Sequence, residues 1–289
     1  MNLGTTTLIF KELTFEESLA KVKELELDGF ELYNPSFYNG IFKGTLSLKN
    51  EKLSNLIATV ESYGLKIISV NAGNNFVQLD QAMYEKQIYG IKECIDIAAE
   101  VGCNIVRVFG GEPIKGISPN KCLKFIIDGL KAVISYAEKR DIYLALENHG
   151  KITNNVDLLM TILDRVDSER LRLNIDTGNF YWFGYELSRV NEIFRDLAPL
   201  AIHTHMKNGK TKRKEERRRT GELKFTPLYE GDINLHNFIE LLKENNYKGA
   251  ISMEDEFEGW TTLPLNEKMK ILKRDIKYLK GIMKNLNLI

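Results

Sequence analysis

Four short stretches of the 289-residue chain each carry a side chain that can bind a hard metal ion or move a proton: Glu147 in LALENHG, Asp176 in LNIDTGN, His205 in AIHTHMKN and Glu254 in AISMEDE. Asp176 follows Glu147 by 29 residues, His205 follows Asp176 by another 29, and Glu254 comes 49 later. Roughly 30 residues suit one strand-helix unit of a parallel sheet, so the longer step reads as one unit plus an inserted loop. Three carboxylates drawn together repel at neutral pH unless a cation sits among them or some are protonated. A divalent metal is the simplest remedy. Oxygen-rich ligation with one imidazole and no thiolate favours manganese or magnesium, with cobalt, zinc or iron also admissible. The plainer alternative, loop-capping carboxylates and a core histidine, does not explain why all four recur at the same place in successive units.

Alternation within these stretches sets the direction of the side chains, because every second residue of a strand shares a face. Leu144 and Leu146 lie opposite Ala145 and Glu147, Leu173 and Ile175 opposite Asn174 and Asp176, Ile202 opposite His203 and His205, and Ile251 and Met253 opposite Ser252 and Glu254. The large apolar set packs under helices. If the sheet closes, the small and polar set lines the interior, with its last member at the C-terminal rim.

Strand-length apolar runs alternate with helix-period segments throughout. The expected strands are 5–10, 29–33, 66–71 and 104–109, followed by the four above. The expected helices start near Thr14, capped by its hydroxyl with Glu17 at the third position, and then span about 49–63, 80–101, 119–139, 153–166, 186–197, 235–245 and 264–286. A glycine and aromatic loop is expected over 34–44. Eight βα units without a linker predict an α/β protein with a single-domain (β/α)₈ TIM barrel over residues 1–289, rather than an open sheet, whose GxGxxG turn is missing. The inward positions of the first four strands are Thr5, Thr7, Glu31, Ser69, Asn71 and Arg107. Glu31 and Arg107 either line the pocket or neutralise each other as a buried pair.

A formal net charge of +0 and a pI near 6.9 supply no overall basic field for nucleic acid or an anionic membrane. No apolar run approaches the roughly 20 residues of a spanning helix, and MNLGTTTLIF does not read as a signal segment, so a cytoplasmic protein is expected. Cys94, Cys103 and Cys122 are scattered and read as ordinary reduced thiols.

ENH at Glu147, DTGN at Asp176, HMKN at His205 and the closing run GDINLHNFIELLKENNYKGAISMED resemble the sugar phosphate isomerase/epimerase group of the xylose-isomerase-like TIM barrels, over essentially the whole chain. The resemblance implies one divalent metal held by Glu147, Asp176, His205 and Glu254, and a sugar or polyol, with or without a phosphate, bound through adjacent oxygens. It implies 1,2-aldose/ketose isomerisation or ketose epimerisation through a metal-stabilised enediolate, with Glu147 and Glu254 as the two proton carriers. One departure is Asn208, where the group more often has aspartate; this is expected to weaken a contact supporting the histidine.

Further candidates for substrate binding are His149, Asn179, Arg107, Lys207 and Arg213. His203 sits one layer below His205 as a core or supporting residue. The aromatics Phe180 to Phe183 either wall a sugar or pack under a loop. The insertion over about 207–232 carries eight Lys or Arg between Lys207 and Arg219. It reads as a solvated loop that could fold over the pocket and grip an anion. A homo-oligomer is compatible with related barrels that pair through helices, but no exposed stripe selects a face. Two enzyme rivals are a metal-dependent dehydratase of an inosose or dehydroshikimate-type ring and an AP endonuclease. The nuclease is disfavoured because a trinuclear site needs more than four histidines and because Asn179 stands where that relative has a ligand histidine. A non-catalytic sugar-binding barrel is disfavoured because sensing does not require two proton-carrying carboxylates.

Overall fold

The computed structural model describes residues 1–38 and 53–289. In chain order its elements are β1 (Leu3–Thr6), α1 (Phe15–Glu24), β2 (Gly29–Tyr33), the one-turn α2 (Pro35–Tyr38), α3 (Leu53–Ser62), β3 (Lys66–Asn71), α4 (Gln81–Glu100), β4 (Ile105–Val108), α5 (Pro119–Glu138), β5 (Tyr143–Glu147), α6 (Val156–Val166), β6 (Leu171–Asp176), α7 (Thr177–Phe183), α8 (Leu187–Leu197), β7 (Ala201–Met206), β8 (Asn208–Lys210), β9 (Lys224–Thr226), α9 (Leu235–Glu244), β10 (Ile251–Met253) and α10 (Leu265–Asn285). The order β1-β10-β7-β6-β5-β4-β3-β2 closes on itself with every neighbouring pair parallel, which is the expected (β/α)₈ barrel. The antiparallel pair β8 and β9 lies within the insertion.

Two apolar layers hold the barrel. Outward leucines and isoleucines such as Leu144, Leu146, Leu173 and Ile175 join buried helix residues such as Ile126, Leu130, Leu159 and Ile193 in one continuous core. Inside the barrel floor, Cys103, Ile105 and Ala145 pack with Ile67 and Ile202; Ile202, expected under the helices, turns inward because the β6–β7 register slips by one residue after Leu173, and the polar interior begins above this apolar cluster. Local chemistry starts several helices: the Thr14–Glu17 capping box opens α1, Asp80 caps α4, and Ser118 with Pro119 opens α5. Among the described residues, no helix is long and apolar enough to cross a membrane.

Several expected boundaries move. The first strand was expected over 5–10, but β1 ends at Thr6 because its neighbours pair only through Glu31 and Met253. Thr7 to Phe10 form a 3₁₀ turn that buries Ile9 and Phe10, so Thr7 is not an inward strand residue. The apolar run there reflects turn packing rather than a ladder. The helix expected from residue 153 begins at Val156, capped by Asn155, because the Thr153 hydroxyl donates to the carbonyls of Glu147 and His149 instead. Most of the loop expected at 34–44 and the start of the helix expected at 49 lie outside the described residues.

Candidate metal centre and active site

Parallel register brings the four side chains to one rim. Asp176 pairs with His205, and Ser252 pairs with the same His205, which leaves Glu254 one step past β10 with its backbone N–H donating to Met206. Glu147 sits level with Asn174. Each of Glu147, Asp176, His205 and Glu254 offers a ligand atom, these atoms lie within 4.8 Å of one another, and all four residues are buried. His205 Nδ1 is 3.4 Å from Glu147 Oε2 and 3.2 Å from Glu254 Oε2.

Each carboxylate is aimed by its own contacts. Asp176 caps α7: its Oδ1 accepts from the N–H groups of Gly178 (2.8 Å) and Asn179 (2.9 Å), leaving Oδ2 toward the centre. Glu147 Oε2 accepts from Asn174 Nδ2 at 3.0 Å and lies 3.4 Å from Arg107 Nε, while its Oε1 faces His149 Nδ1 at 3.2 Å. Asn148 stitches the two strand ends together, donating to the Asp176 carbonyl and accepting from its N–H. Gly150 has φ +59°, a left-handed conformation that favours glycine at the end of ENHG.

Whether these residues suit a cation is decided by their unspent lone pairs. Among the described residues, Asp176 Oδ2, His205 Nδ1 and Glu254 Oε2 are buried and accept no well-formed hydrogen bond. What faces them is the Lys207 ammonium, 3.1 Å from Asp176 Oδ2, 2.7 Å from Glu254 Oε2 and 3.0 Å from Glu256 Oε2. Converging oxygens and one imidazole with free lone pairs fit a divalent ion. Gly178 makes room for this lysine, since a Cβ would sit 2.9 Å from its Cγ.

The charges are strongly coupled. Burial, with help from Glu254 and Glu147 and opposition from Lys207, pushes the Asp176 carboxyl up to about 7. Burial would also raise Glu254 and Glu147, but Lys207 and His205 hold Glu254 well below the usual carboxylate range, and His205, His149 and Arg107 lower Glu147. Burial would lower His205 and Lys207, yet the surrounding carboxylates raise both well above their ordinary values. For His149, the bond to Glu147 outweighs desolvation and raises the imidazole.

The remaining candidates divide by position. His149 is half-exposed, with its ring 4.4 Å from that of Phe109, and Asn179 Nδ2 donates to the Asn148 carbonyl at 2.9 Å and lies 3.5 Å from Glu147 Oε1. Arg107 does not pair with Glu31 as one reading had it. Its guanidinium donates to the Ala72 carbonyl and the Tyr38 hydroxyl, stacks over Phe109 and leans on Glu147. Glu31 instead meets His203 and His205. Arg213 does not come to the centre: it bonds Glu216 at 2.6 Å and Glu222 at 3.3 Å on the exposed loop.

The insertion is tied down rather than a free solvated arm. Arg218 is buried against the Tyr181 ring and donates to the Tyr185 carbonyl, Arg217 stacks on Phe183 and Tyr185, and Lys214 pairs with Asp232. The aromatics after β6 therefore pack under the loop. Phe180 and Tyr181 are fully buried.

Asn208 also departs from expectation. Its amide donates to the carbonyls of Leu228 and Ile233 and accepts from the N–H groups of Gly209 and Ile233, which pins the insertion and involves no bond to His205. Asn208→Asp would set a carboxylate against two carbonyls. It is expected to lower stability by about 2 kcal/mol without changing metal affinity, as read by thermal unfolding and metal titration. Asp255, next to Glu254, likewise turns away from the centre to a carboxyl pair with Asp275 on α10, and burial followed by that neighbour raises it well above its usual range.

The sequence matches the family model described as xylose isomerase-like TIM barrel over residues 19–282. It is 23% identical over 266 residues to the uncharacterized protein MJ1311 of Methanocaldococcus jannaschii, covering 89% of this chain and 84% of that one. It is 24% identical over 159 residues to an inosose dehydratase of Clostridium perfringens, about half of each (52% and 52%). Among solved structures, a D-tagatose 3-epimerase-like protein superposes with a TM-score of 0.77 at 21% identity, covering 99% of this chain and 98% of that one. The IOLI protein, solved with a binding zinc atom, gives 0.77 at 18% identity over 98% and 99%. With a closed parallel barrel and a family match across nearly its whole length, this chain belongs to the xylose isomerase-like TIM barrel family.

Proposed function

We propose that the protein is a divalent-metal-dependent enzyme that moves a proton next to the carbonyl of a sugar or polyol, as an epimerase or aldose/ketose isomerase. The observation that carries this reading is the set of four buried ligand atoms within 4.8 Å of one another, with Asp176 Oδ2, His205 Nδ1 and Glu254 Oε2 accepting no well-formed hydrogen bond among the described residues. Glu147, Asp176, His205 and Glu254 would hold the ion, manganese or magnesium by donor type. A divalent ion there would polarise a carbonyl and its neighbouring hydroxyl, acidify the C–H between them and stabilise the enediolate that results. The D-tagatose 3-epimerase-like neighbour supports the same class of substrate.

The chain's own residues divide the rest of the work. Glu147 and Glu254 both reach His205 Nδ1 from strand ends on either side of β7 in the barrel order, so one takes the proton and the other returns it to the opposite face or the adjacent carbon. Asp176 and His205 hold position. Arg107, buried beside Glu147, favours the ionised carboxylate needed for abstraction. His149 at the mouth donates to a substrate hydroxyl, Lys207 donates to the oxygen on which negative charge develops, and Asn179 orients the site from the first turn of α7.

One observation favours a second reading. His149 sits at the mouth beside Glu147 with its imidazole raised above the ordinary value, and such a donor can protonate a departing hydroxyl. That is the requirement of a dehydratase, the activity named for the Clostridium perfringens relative. Manganese-loaded protein incubated with a panel of ketoses and inososes in D₂O separates the two. Deuterium beside the carbonyl together with an epimer or aldose product supports the first reading, and an enone absorbance from an inosose supports the second. Absence of both exchange and turnover across the panel would contradict the proposed chemistry.

A further inference from the structure

Beneath the ligand His205 lies a carboxylate that the proposed chemistry does not use. Glu31 on β2 is fully buried, and four donors from three other strands converge on it. Its Oε1 accepts from His203 Nε2 at 2.9 Å and from the Ser252 hydroxyl. Its Oε2 accepts from His205 Nε2 at 3.1 Å and from Asn71 Nδ2 at 2.6 Å. A carboxylate has about four lone-pair sites, so Glu31 is saturated, and it can be satisfied only if every one of its partners donates.

That condition decides the state of both histidines. Nε2 of His205 and Nε2 of His203 must each carry a hydrogen, and the lone pair that His205 can offer a metal is then on Nδ1. This nitrogen faces Glu147 and Glu254 and lacks any other partner among the described residues. We infer that Glu31 is the positioning residue of the metal centre: one carboxylate locks His205 in orientation and in tautomer, so that Nδ1 meets the ion. His203 holds the other oxygen and Asn71 shares Oε2 with His205, which keeps the carboxylate from rotating away.

The inference rests on the reading of His205 as a metal ligand, and the test separates the two. Manganese affinity is measured by titration calorimetry on the full chain as wild type, Glu31→Gln, Ser252→Ala and Asp176→Asn. Histidine ¹⁵N chemical shifts are recorded on the wild type and Glu31→Gln loaded with diamagnetic zinc. Glu31→Gln replaces two acceptor oxygens with one acceptor and one donor, so at least one histidine loses its bond. The expected result is a 10- to 100-fold loss of manganese affinity, with wild-type His205 protonated on Nε2 and Glu31→Gln losing that uniform state. Ser252→Ala removes a buried bond of similar size but leaves the Glu31–His205 contact, and should stay within about threefold of wild type. This control separates positioning from a general loss of packing. Wild-type affinity in Glu31→Gln, an equal loss in Ser252→Ala, or a hydrogen on Nδ1 of zinc-loaded wild-type His205 would overturn the inference while leaving the metal reading in place. If Glu31→Gln does not fold, the wild-type tautomer and Ser252→Ala decide the matter. Failure of the wild type to bind manganese more tightly than Asp176→Asn would overturn the metal reading itself, and the inference with it.

Discussion

Glu147→Gln and Glu254→Gln are each expected to lower kcat by about 10²- to 10⁴-fold, the usual range for removing a positioned proton carrier, while one metal ion per chain stays bound. Glutamine keeps an oxygen that can ligate, and at position 147 that oxygen can still accept from Asn174. It cannot take a proton from carbon. The loss should therefore fall on kcat rather than on metal stoichiometry, which distinguishes it from Asp176→Asn, where metal affinity should fall first. Metal content and kcat measured on the same preparations check both halves. If both glutamine variants remain fully active, the assigned proton shuttle is wrong.

A second large effect is in the pH dependence of metal binding. In the metal-free protein the Asp176 carboxyl is pushed up to about 7, chiefly by burial, and the carboxylates around His205 hold its imidazole protonated well above the ordinary range. Ligation requires both protons to leave. Below about pH 7 two protons are displaced, so affinity should climb about 100-fold per pH unit. Above it Asp176 is already ionised and the slope should fall to about tenfold per unit. The sign for stability is opposite to that of an ordinary salt-bridged aspartate. Because the folded value lies above the ordinary 3.8, Asp176 ionises more readily in the unfolded chain, and it destabilises the metal-free fold increasingly as pH rises from about 4 to 7. Glu254 and Glu147 are lowered and do the reverse, adding stability above the ordinary carboxylate value that is lost as pH falls. Chelator competition across pH 5.5–8.5 gives the first slope. The difference between wild-type and Asp176→Asn thermal unfolding isolates the aspartate, and a difference that does not change over pH 4–7 would contradict the assignment.

The convergence of Glu147, Asp176, His205 and Glu254 can be read before any coordinates because the strand period puts them on one face and the unit length puts them at one end. Both are properties of the local chain. What supports them is not local. Glu31 precedes His205 by 174 residues, and only closure of the barrel between β1 and β10 brings Ser252 and the two histidines around it. Asn208 looked like a neighbour of His205 because it is three residues away, yet β8 turns out of the barrel there and spends that side chain on the insertion. Charge alone also misleads. Arg213 and Lys207 belong to the same basic run, but one pairs with glutamates on the loop surface while the other, one residue beyond β7, reaches the ligand carboxylates. A charged side chain's role depends on which carboxylate lies within reach, and the sequence does not record that distance. Thr7 was misplaced for a related reason, since an apolar run reads alike whether it continues a ladder or folds into a buried turn.

The most direct measurement is the anomalous difference map of crystals grown with manganese. The account predicts one strong peak per chain, about 2.0–2.3 Å from oxygens of Glu147, Asp176 and Glu254 and from Nδ1 of His205, with the Lys207 ammonium displaced toward Glu256. A map with no peak among these four side chains, or with manganese held elsewhere while Lys207 still bridges Asp176 and Glu254, would contradict it.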